Sequence, residues 1–376
     1  MSSSYETKKP EPAAATAEAP VAAAARDEGD SVFTGLFRKF DRTQSNVYSP
    51  LSLEQALVVP YVGSDGETKE ILAKEFNRII PADMFPIDFY CDVLNKSLEA
   101  TGVVSIGNAI WINDKSGFKV NAPFAKCVEK MCRVESLPFD EKFQMVLDNF
   151  VNEKTKTMIK NGPKIDCNDP LLCVIVLNTL FFEGKWDKAF ESAVEEDFTL
   201  ASGTVIPHQM MTTELARCNY YEDDTICAVE LPYKNEFSML VCLTKGTSLA
   251  LTDLSDMKFS ELRMQMKPRR VKVTLPKFTA ESTISILEPL SELTSEKIKG
   301  YYNQMGNDPL KISAIIQQCK IEVDESGTRA AAVTTVLMRK ECCSKTPALQ
   351  FKADKPFMYH IMKENKILFM GNYMGK

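Results

Sequence analysis

Few residues of this chain could do acid, base or nucleophilic chemistry. It holds two histidines, His208 and His360, and histidine is the side chain whose ordinary pKa lies closest to neutrality. His208 follows Pro207 in a turn-like stretch, and His360 alternates with Tyr359 and Ile361 in a strand pattern, so both read as structural. No triad is readable around either, and no GxSxG elbow occurs. Gly63-Ser64-Asp65-Gly66-Glu67-Thr68-Lys69 has the residue types of a phosphate loop, but no Lys follows its second Gly and the spacing is short. Cys127 and Cys132 lie on a helical stretch without a histidine, match no zinc spacing, and read as core thiols. HExxH, EF-hand and dinucleotide fingerprints are missing, so neither a metal nor another cofactor is expected. A hydrolase, which would turn over its substrate, has no residues to rest on here.

The informative pattern is a conflict of local preferences over residues 320–338. Lys320-Ile321-Glu322-Val323 begins as a strand, Gly327 offers a hinge, Ala330-Ala331-Ala332 favours helix, and Val333-Thr334-Thr335-Val336 favours strand again. Such a segment is suited to more than one conformation. If it is extended, Thr328, Ala330, Ala332, Thr334 and Val336 share one face, all uncharged and compact, while Arg329 points the other way. Small side chains on one face, with a glycine where the chain reverses, are what a strand needs to enter between two others. The competing reading is a short surface helix starting at Ser326.

The elements around this segment are mixed. Helical spacing appears after Ser49-Pro50, where Leu53, Ala56 and Leu57 repeat, and over residues 67–76. Residues 103–112, 174–182, 228–243 and 271–279 read as strands, and the unbroken apolar run 172–182 predicts a central strand covered on both faces. Helices and strands do not alternate regularly, which indicates an α+β fold. No linker or repeat divides residues 31–376, so one domain is expected there. Residues 1–30, an Ala, Pro and Glu mixture, read as a disordered tail.

Four blocks now align with a known family. The segment around Gly327 resembles the reactive-loop hinge of the serpins. Phe351-Lys352-Ala353-Asp354-Lys355-Pro356-Phe357-Met358-Tyr359-His360-Ile361, with Ile367-Leu368-Phe369-Met370-Gly371, resembles their C-terminal signature. Asn46-Val47-Tyr48-Ser49-Pro50-Leu51-Ser52 resembles the shutter, and Leu177-Asn178-Thr179-Leu180-Phe181-Phe182-Glu183-Gly184-Lys185-Trp186 resembles the central strand, with Trp186 at the breach. Weaker echoes at 108–120, 230–233 and 275–278 extend the likeness over everything after the tail. Two positions depart from it: Gln317 stands where many serpins place a shutter histidine, and Arg329 replaces a common acidic or small residue at an outward position.

The resemblance implies three β-sheets, about nine helices, an exposed reactive-centre loop, and a suicide-substrate inhibitor of proteases. Its hinge would comprise Glu325, Gly327, Thr328, Ala330, Ala331, Ala332 and Thr334; its shutter and breach Ser49, Ser52, Asn178, Trp186 and Gln317. Counting forward from Gly327 places the reactive bond at Glu341, and counting back from Phe351 places it at Cys342, so both bracket one basic pair. Lys340, then Arg339, would suit a trypsin-like protease whose specificity pocket holds a carboxylate; Glu341 suits a rarer enzyme, and Met338 or Leu337 a chymotrypsin-like one. A papain-like cysteine protease as target, and a non-inhibitory serpin acting as carrier or chaperone, are the alternatives.

Bulk composition narrows the partners. The net charge of −6 offers no field for a phosphate backbone, and the one dense basic cluster, Lys267, Arg269, Arg270 and Lys272, reads as a solvated strand edge. Eleven cysteines at irregular spacing argue against a disulfide framework and for a reducing, cytoplasmic setting, as does the lack of a Leu-rich leader. No apolar run reaches the roughly 20 residues a membrane span needs, the triplet Asn95-Lys96-Ser97 is too common to outweigh this, and a monomer acting on a target protease is expected.

Overall fold

The apolar run 172–182 becomes a strand, Val174–Phe182, buried along its whole length. The computed structural model describes residues 31–114, 117–245, 256–306, 310–328 and 347–376; the expected tail and most of the segment after Thr328 lie outside them. Nine α-helical segments are present among the described residues: α1 (Val32–Gly35), α2 (Pro50–Gly63), α3 (Gly66–Phe76), α4 (Pro86–Asp88), α5 (Lys96–Glu99), α6 (Ala122–Val128), α7 (Phe143–Lys154), α8 (Asp256–Gln265) and α9 (Leu287–Leu293). The strands in chain order are β1 (Asn46–Tyr48), β2 (Val104–Asn113), β3 (Arg133–Leu137), β4 (Val174–Phe182), β5 (Gly184–Lys185), β6 (Val194–Thr199), β7 (Val205–Glu222) and β8 (Ile226–Pro232). They continue with β9 (Phe237–Thr244), β10 (Lys267–Pro276), β11 (Phe278–Ser285), β12 (Ala314–Val323), β13 (Gly327–Thr328), β14 (Leu349–Lys352), β15 (Phe357–Lys363) and β16 (Lys366–Tyr373).

One sheet runs β3-β2-β4-β12-β13-β5, with β11 on the free side of β12. Its inner face packs on the main core, which includes Val176, Leu180, Phe182, Cys319 and Ile321. Its outer face packs on α7 through Trp111, Phe143, Leu147, Phe150, Ile175, Leu177 and Ile316. A strand buried this way has no polar side to show, which is why 172–182 reads as continuously apolar. Helix α2 enters the core beneath this sheet. Pro50 sits in its first turn and the Ser49 side chain accepts a hydrogen bond from the Ser52 amide, which caps the helix.

The second sheet runs β1-β16-β15-β9-β8-β7-β10-β14, with β6 on β7. The three expected sheets therefore form two continuous ladders among the described residues. The 18-residue β7 is long enough to pair with β6 over its first residues, with β10 along most of its length and with β8 over its last residues, which joins two sheets into one.

Other expectations are corrected in detail. Residues 228–243 are a hairpin, β8 and β9, because Asn235 and Glu236 take φ of 63° and 65° and reverse the chain. Residues 271–279 break between β10 and β11 at Lys277. His208 lies in β7 rather than in a turn, opposite Glu196 of β6. Cys127 is exposed on α6, whereas Cys132 is buried. The basic cluster lies within β10, whose first residues pair only with β7, and Arg270 is tied to Glu214 at 2.5 Å. Asn95 exchanges two amide hydrogen bonds with Gln55, at 2.9 and 3.1 Å, so its side chain serves the helix packing. Among the described residues no helix is long and apolar enough to cross a membrane.

Candidate functional site

Strands β4 and β12 lie side by side and parallel, paired from Ile175–Ala314 to Leu180–Cys319. Above that level the direct pairing stops, and β13 occupies the space. Asp324 turns the chain there, its Oδ1 accepting from the Ser326 and Gly327 amides at 2.7 and 3.1 Å. Gly327 then passes so close to β5 that a Cβ would stand 2.0 Å from the Gly184 carbonyl oxygen, which leaves glycine as the only fit. Thr328 pairs with Val323 of β12 on one side and Gly184 of β5 on the other, antiparallel to both.

Thr328 is fully buried. Its hydroxyl lies 2.6 Å from that of Tyr233, and burial pushes the Tyr233 phenol well above its usual pKa, with the Thr328 contact acting in the opposite sense. Tyr233 stacks on Trp186 at 4.1 Å, and the Trp186 indole donates to the Asp324 carbonyl at 2.9 Å. Glu325 anchors the turn from the other side. Its carbonyl accepts from the Phe190 amide, its carboxylate accepts from the Ala193 amide at 3.2 Å, and Lys277 pairs with it at 3.0 Å. Burial opposes the Glu325 charge, yet these hydrogen bonds and the Lys277 ammonium hold its carboxyl below the usual range.

Lower in the sheet a buried amide network bridges β4, β12 and α2. Gln317 accepts from the Ser49 amide and donates both to the Ser49 carbonyl and to Asn178 Oδ1, each at 2.8 Å. Asn178 in turn donates to Asn108 Oδ1 at 2.7 Å and to the Ser52 hydroxyl and carbonyl. Gln317 thus fills the histidine position with a neutral group that satisfies three partners, and the bonds to Ser49 and Asn178 form. The same seam is polar on its outer face, where Thr179 donates to the Gln318 carbonyl and Gln318 donates to the Asn161 carbonyl.

Of the residues singled out in the sequence, Ser49, Ser52, Asn178 and Gln317 come together as one network, and Glu325, Gly327, Thr328 and Trp186 as another. Ala330, Ala331, Ala332, Thr334, Arg339, Lys340 and Glu341 lie outside the described residues. The sequence reading missed Tyr233, Gly184, Lys277 and Asn108 as members of the site. Only the weak echo at 230–233 pointed to Tyr233, and no local pattern brings it to Thr328.

The reactive groups elsewhere are held in structural roles. His208 Nε2 lies 2.7 Å from the Tyr373 hydroxyl and the ring stacks on Phe198. His360 is buried against Phe259, and burial pushes its pKa down to about 3. Burial likewise pushes the thiols of Cys218, Cys242 and Cys319 up to about 12, the opposite of what a nucleophile needs.

Comparison with known proteins gives one consistent answer. A family model described as Serpin (serine protease inhibitor) matches residues 31–375. Glia-derived nexin of Rattus norvegicus is 27% identical over 373 residues, covering 92% of this chain and 91% of its own. Among solved structures, the thermophilic serpin tengpin in its native state superposes with a TM-score of 0.78 at 25% identity, covering 95% of this chain and 96% of its own. Serpin48 of the insect Tenebrio molitor superposes with a TM-score of 0.77 at 23% identity, covering 92% and 95%.

Proposed function

The chain belongs to the serpin family of serine protease inhibitors, and from that premise we propose that it is itself a single-use inhibitor, with residues 329–346 as bait. A protease attacks the bait and is acylated by it. Once the bond breaks, the arm beginning at Thr328 joins the sheet between β4 and β12 and carries the bound enzyme with it.

One observation carries this reading. Gly327 and Thr328 already lie in the sheet as a two-residue strand antiparallel to β12 and β5. Because β4 and β12 are parallel, a strand that continues β13 downward is antiparallel to both, and its backbone groups find partners on each side. The positions that follow Thr328 on its own face, Ala330, Ala332, Thr334 and Val336, are compact enough to enter. A carrier or chaperone has no need of that pattern.

We take Lys340 as the residue before the cut, then Arg339, and a trypsin-like enzyme as the target. We also place the protein in a reducing compartment as a monomer; the nine described cysteines, all free thiols, support the first part. Incubation with trypsin, chymotrypsin, elastase and papain tests the whole. The expected result is a complex with trypsin that survives SDS, and a new N-terminus at Lys340 or Glu341 by mass spectrometry. Turnover of intact protein to fragments with every protease, and no trapped enzyme, would refute inhibition.

A further inference from the structure

We propose that the mouth of the β4/β12 seam carries a docking site for a cation, built from the carboxylates of Glu183 and Glu322, and that its occupant is Arg329 of the same chain once the arm enters the sheet. This rests on the insertion step proposed above and adds the register and the contact that guide it.

The register follows from the strand already in place. Thr328 lies opposite Gly184 on one side and Val323 on the other, in antiparallel pairing. Continuing without a bulge, the next residue falls opposite Glu183 on one side and Glu322 on the other. Residues directly across an antiparallel pair point to the same face, with Cβ atoms about 4.5–5.5 Å apart, well within reach of a guanidinium. The faces agree. Thr328 shares the inner face with Val323, toward Tyr233, so residue 329 shares the outer face with Glu322, where Ile316 packs under α7.

The charges agree too. Glu183 and Glu322 are both half-buried. Among the described residues Glu183 has no cationic partner, and Glu322 is held by Lys320 at 3.1 Å, a lysine it shares with Glu281 at 3.4 Å. An uncharged or acidic residue inserted at this level would leave two carboxylates flanking the new strand, with only Glu322 offered a lysine, and that one shared with Glu281 on the far side of β12. Arginine adds a planar fork that can serve both. The same register offers an independent check six residues beyond Thr328, where Thr334 falls opposite Asn178 and Gln317. Those two now bond to each other at 2.8 Å and would be parted by the new strand, and Thr334 brings a hydroxyl to that level. A polar residue thus meets polar partners at both levels, which a shifted register would not give. The outward arginine that departs from the family pattern is matched to this chain's own sheet.

The test is a charge swap in the full chain. Arg329→Glu should lower the fraction of trypsin trapped, through an insertion step slowed roughly fivefold, and should reduce the rise in melting temperature that follows cleavage at 339–341. Adding Glu183→Arg to Arg329→Glu should restore both, and the coupling should fade in molar salt. Cleavage positions are checked by mass spectrometry in every variant. Equal trapping and equal post-cleavage melting in wild type and Arg329→Glu would overturn the site, as would a double variant no better than Arg329→Glu alone. Melting of the cleaved protein reads the site without any trapped enzyme. A chain that gains stability on cleavage but traps nothing therefore defeats the inhibitory reading alone, whereas one that gains no stability defeats the docking site as well.

Discussion

Replacing Thr328 by arginine puts the insertion argument to its hardest test. The side chain is fully buried, its hydroxyl 2.6 Å from Tyr233, and Tyr233 is itself packed edge-on against Phe182 at 5.2 Å. The two carboxylates of the turn are engaged elsewhere: Asp324 accepts from the Ser326 and Gly327 amides, and Glu325 is turned toward Lys277 and the Ala193 amide. An unpaired buried charge costs about 3–5 kcal/mol, and the lost hydroxyl contact about 1 kcal/mol. That cost should hold residue 328 of the intact variant out of the sheet, and since each 1.4 kcal/mol is a factor of ten, burying it on insertion should slow the first step by roughly three orders of magnitude or more. Hydrolysis of the acyl bond then wins, and the variant becomes a substrate. Thr328→Val, which keeps the shape and loses only the hydroxyl, should stay in the sheet before cleavage and so trap trypsin as the wild type does. The assay is a titration of trypsin against each protein, with complexes counted on an SDS gel. If Thr328→Arg still traps trypsin one for one, the inward face of the arm does not control entry and the reasoning fails.

Three further outcomes follow from the same structure. Gln317→Ala removes one amide that serves Ser49 twice and Asn178 once in a buried site, so it should cost about 2–4 kcal/mol, read as a lower urea midpoint with an unchanged slope. Cleavage between residues 339 and 341 should raise the melting temperature of the wild-type protein, because a severed arm completes the sheet; calorimetry before and after trypsin checks this. The third concerns pH. Burial lowers the pKa of His360 to about 3 in the folded protein, against about 6.5 unfolded, so protonation favours the unfolded chain. Its contribution is fully retained above about pH 6.5 and lost as pH falls toward 3, amounting to about 2 kcal/mol by pH 5. His360→Phe should flatten that stretch of the stability profile in urea titrations at pH 7 and pH 5.

Much of this was legible in the chain because burial on two faces and capping leave local marks. The apolar run of β4, the Ser49-Pro50 start of α2, and the glycine before an alternation of small residues can each be read within about ten positions. Asn178 and Gln317 were marked by the resemblance to the family's shutter and central strand, not by a local pattern. What stayed hidden depends on register between distant strands. Tyr233 is 95 residues from Thr328 in sequence, and nothing near it signals that its hydroxyl closes on the hinge. Lys277, read as part of a strand, is the residue where β10 gives way to β11, and this break aims it at Glu325. The hairpin at Asn235 was masked because apolar residues continue on both sides of it. The joining of two sheets through β7 could not be foreseen from a pattern that shows length but not partners.

The stack of Trp186 on Tyr233 has a practical use. The chain has two tryptophans, and the other, Trp111, is buried in a separate cluster between the rings of Phe143 and Phe150. The intrinsic emission of the unlabelled protein therefore contains one fluorophore at the top of the seam and one behind it, under α7. A change in polarity or quenching as the arm moves past Tyr233 falls on the first, so a stopped-flow trace can time the event, and Trp111→Phe would leave that signal alone on a dark background.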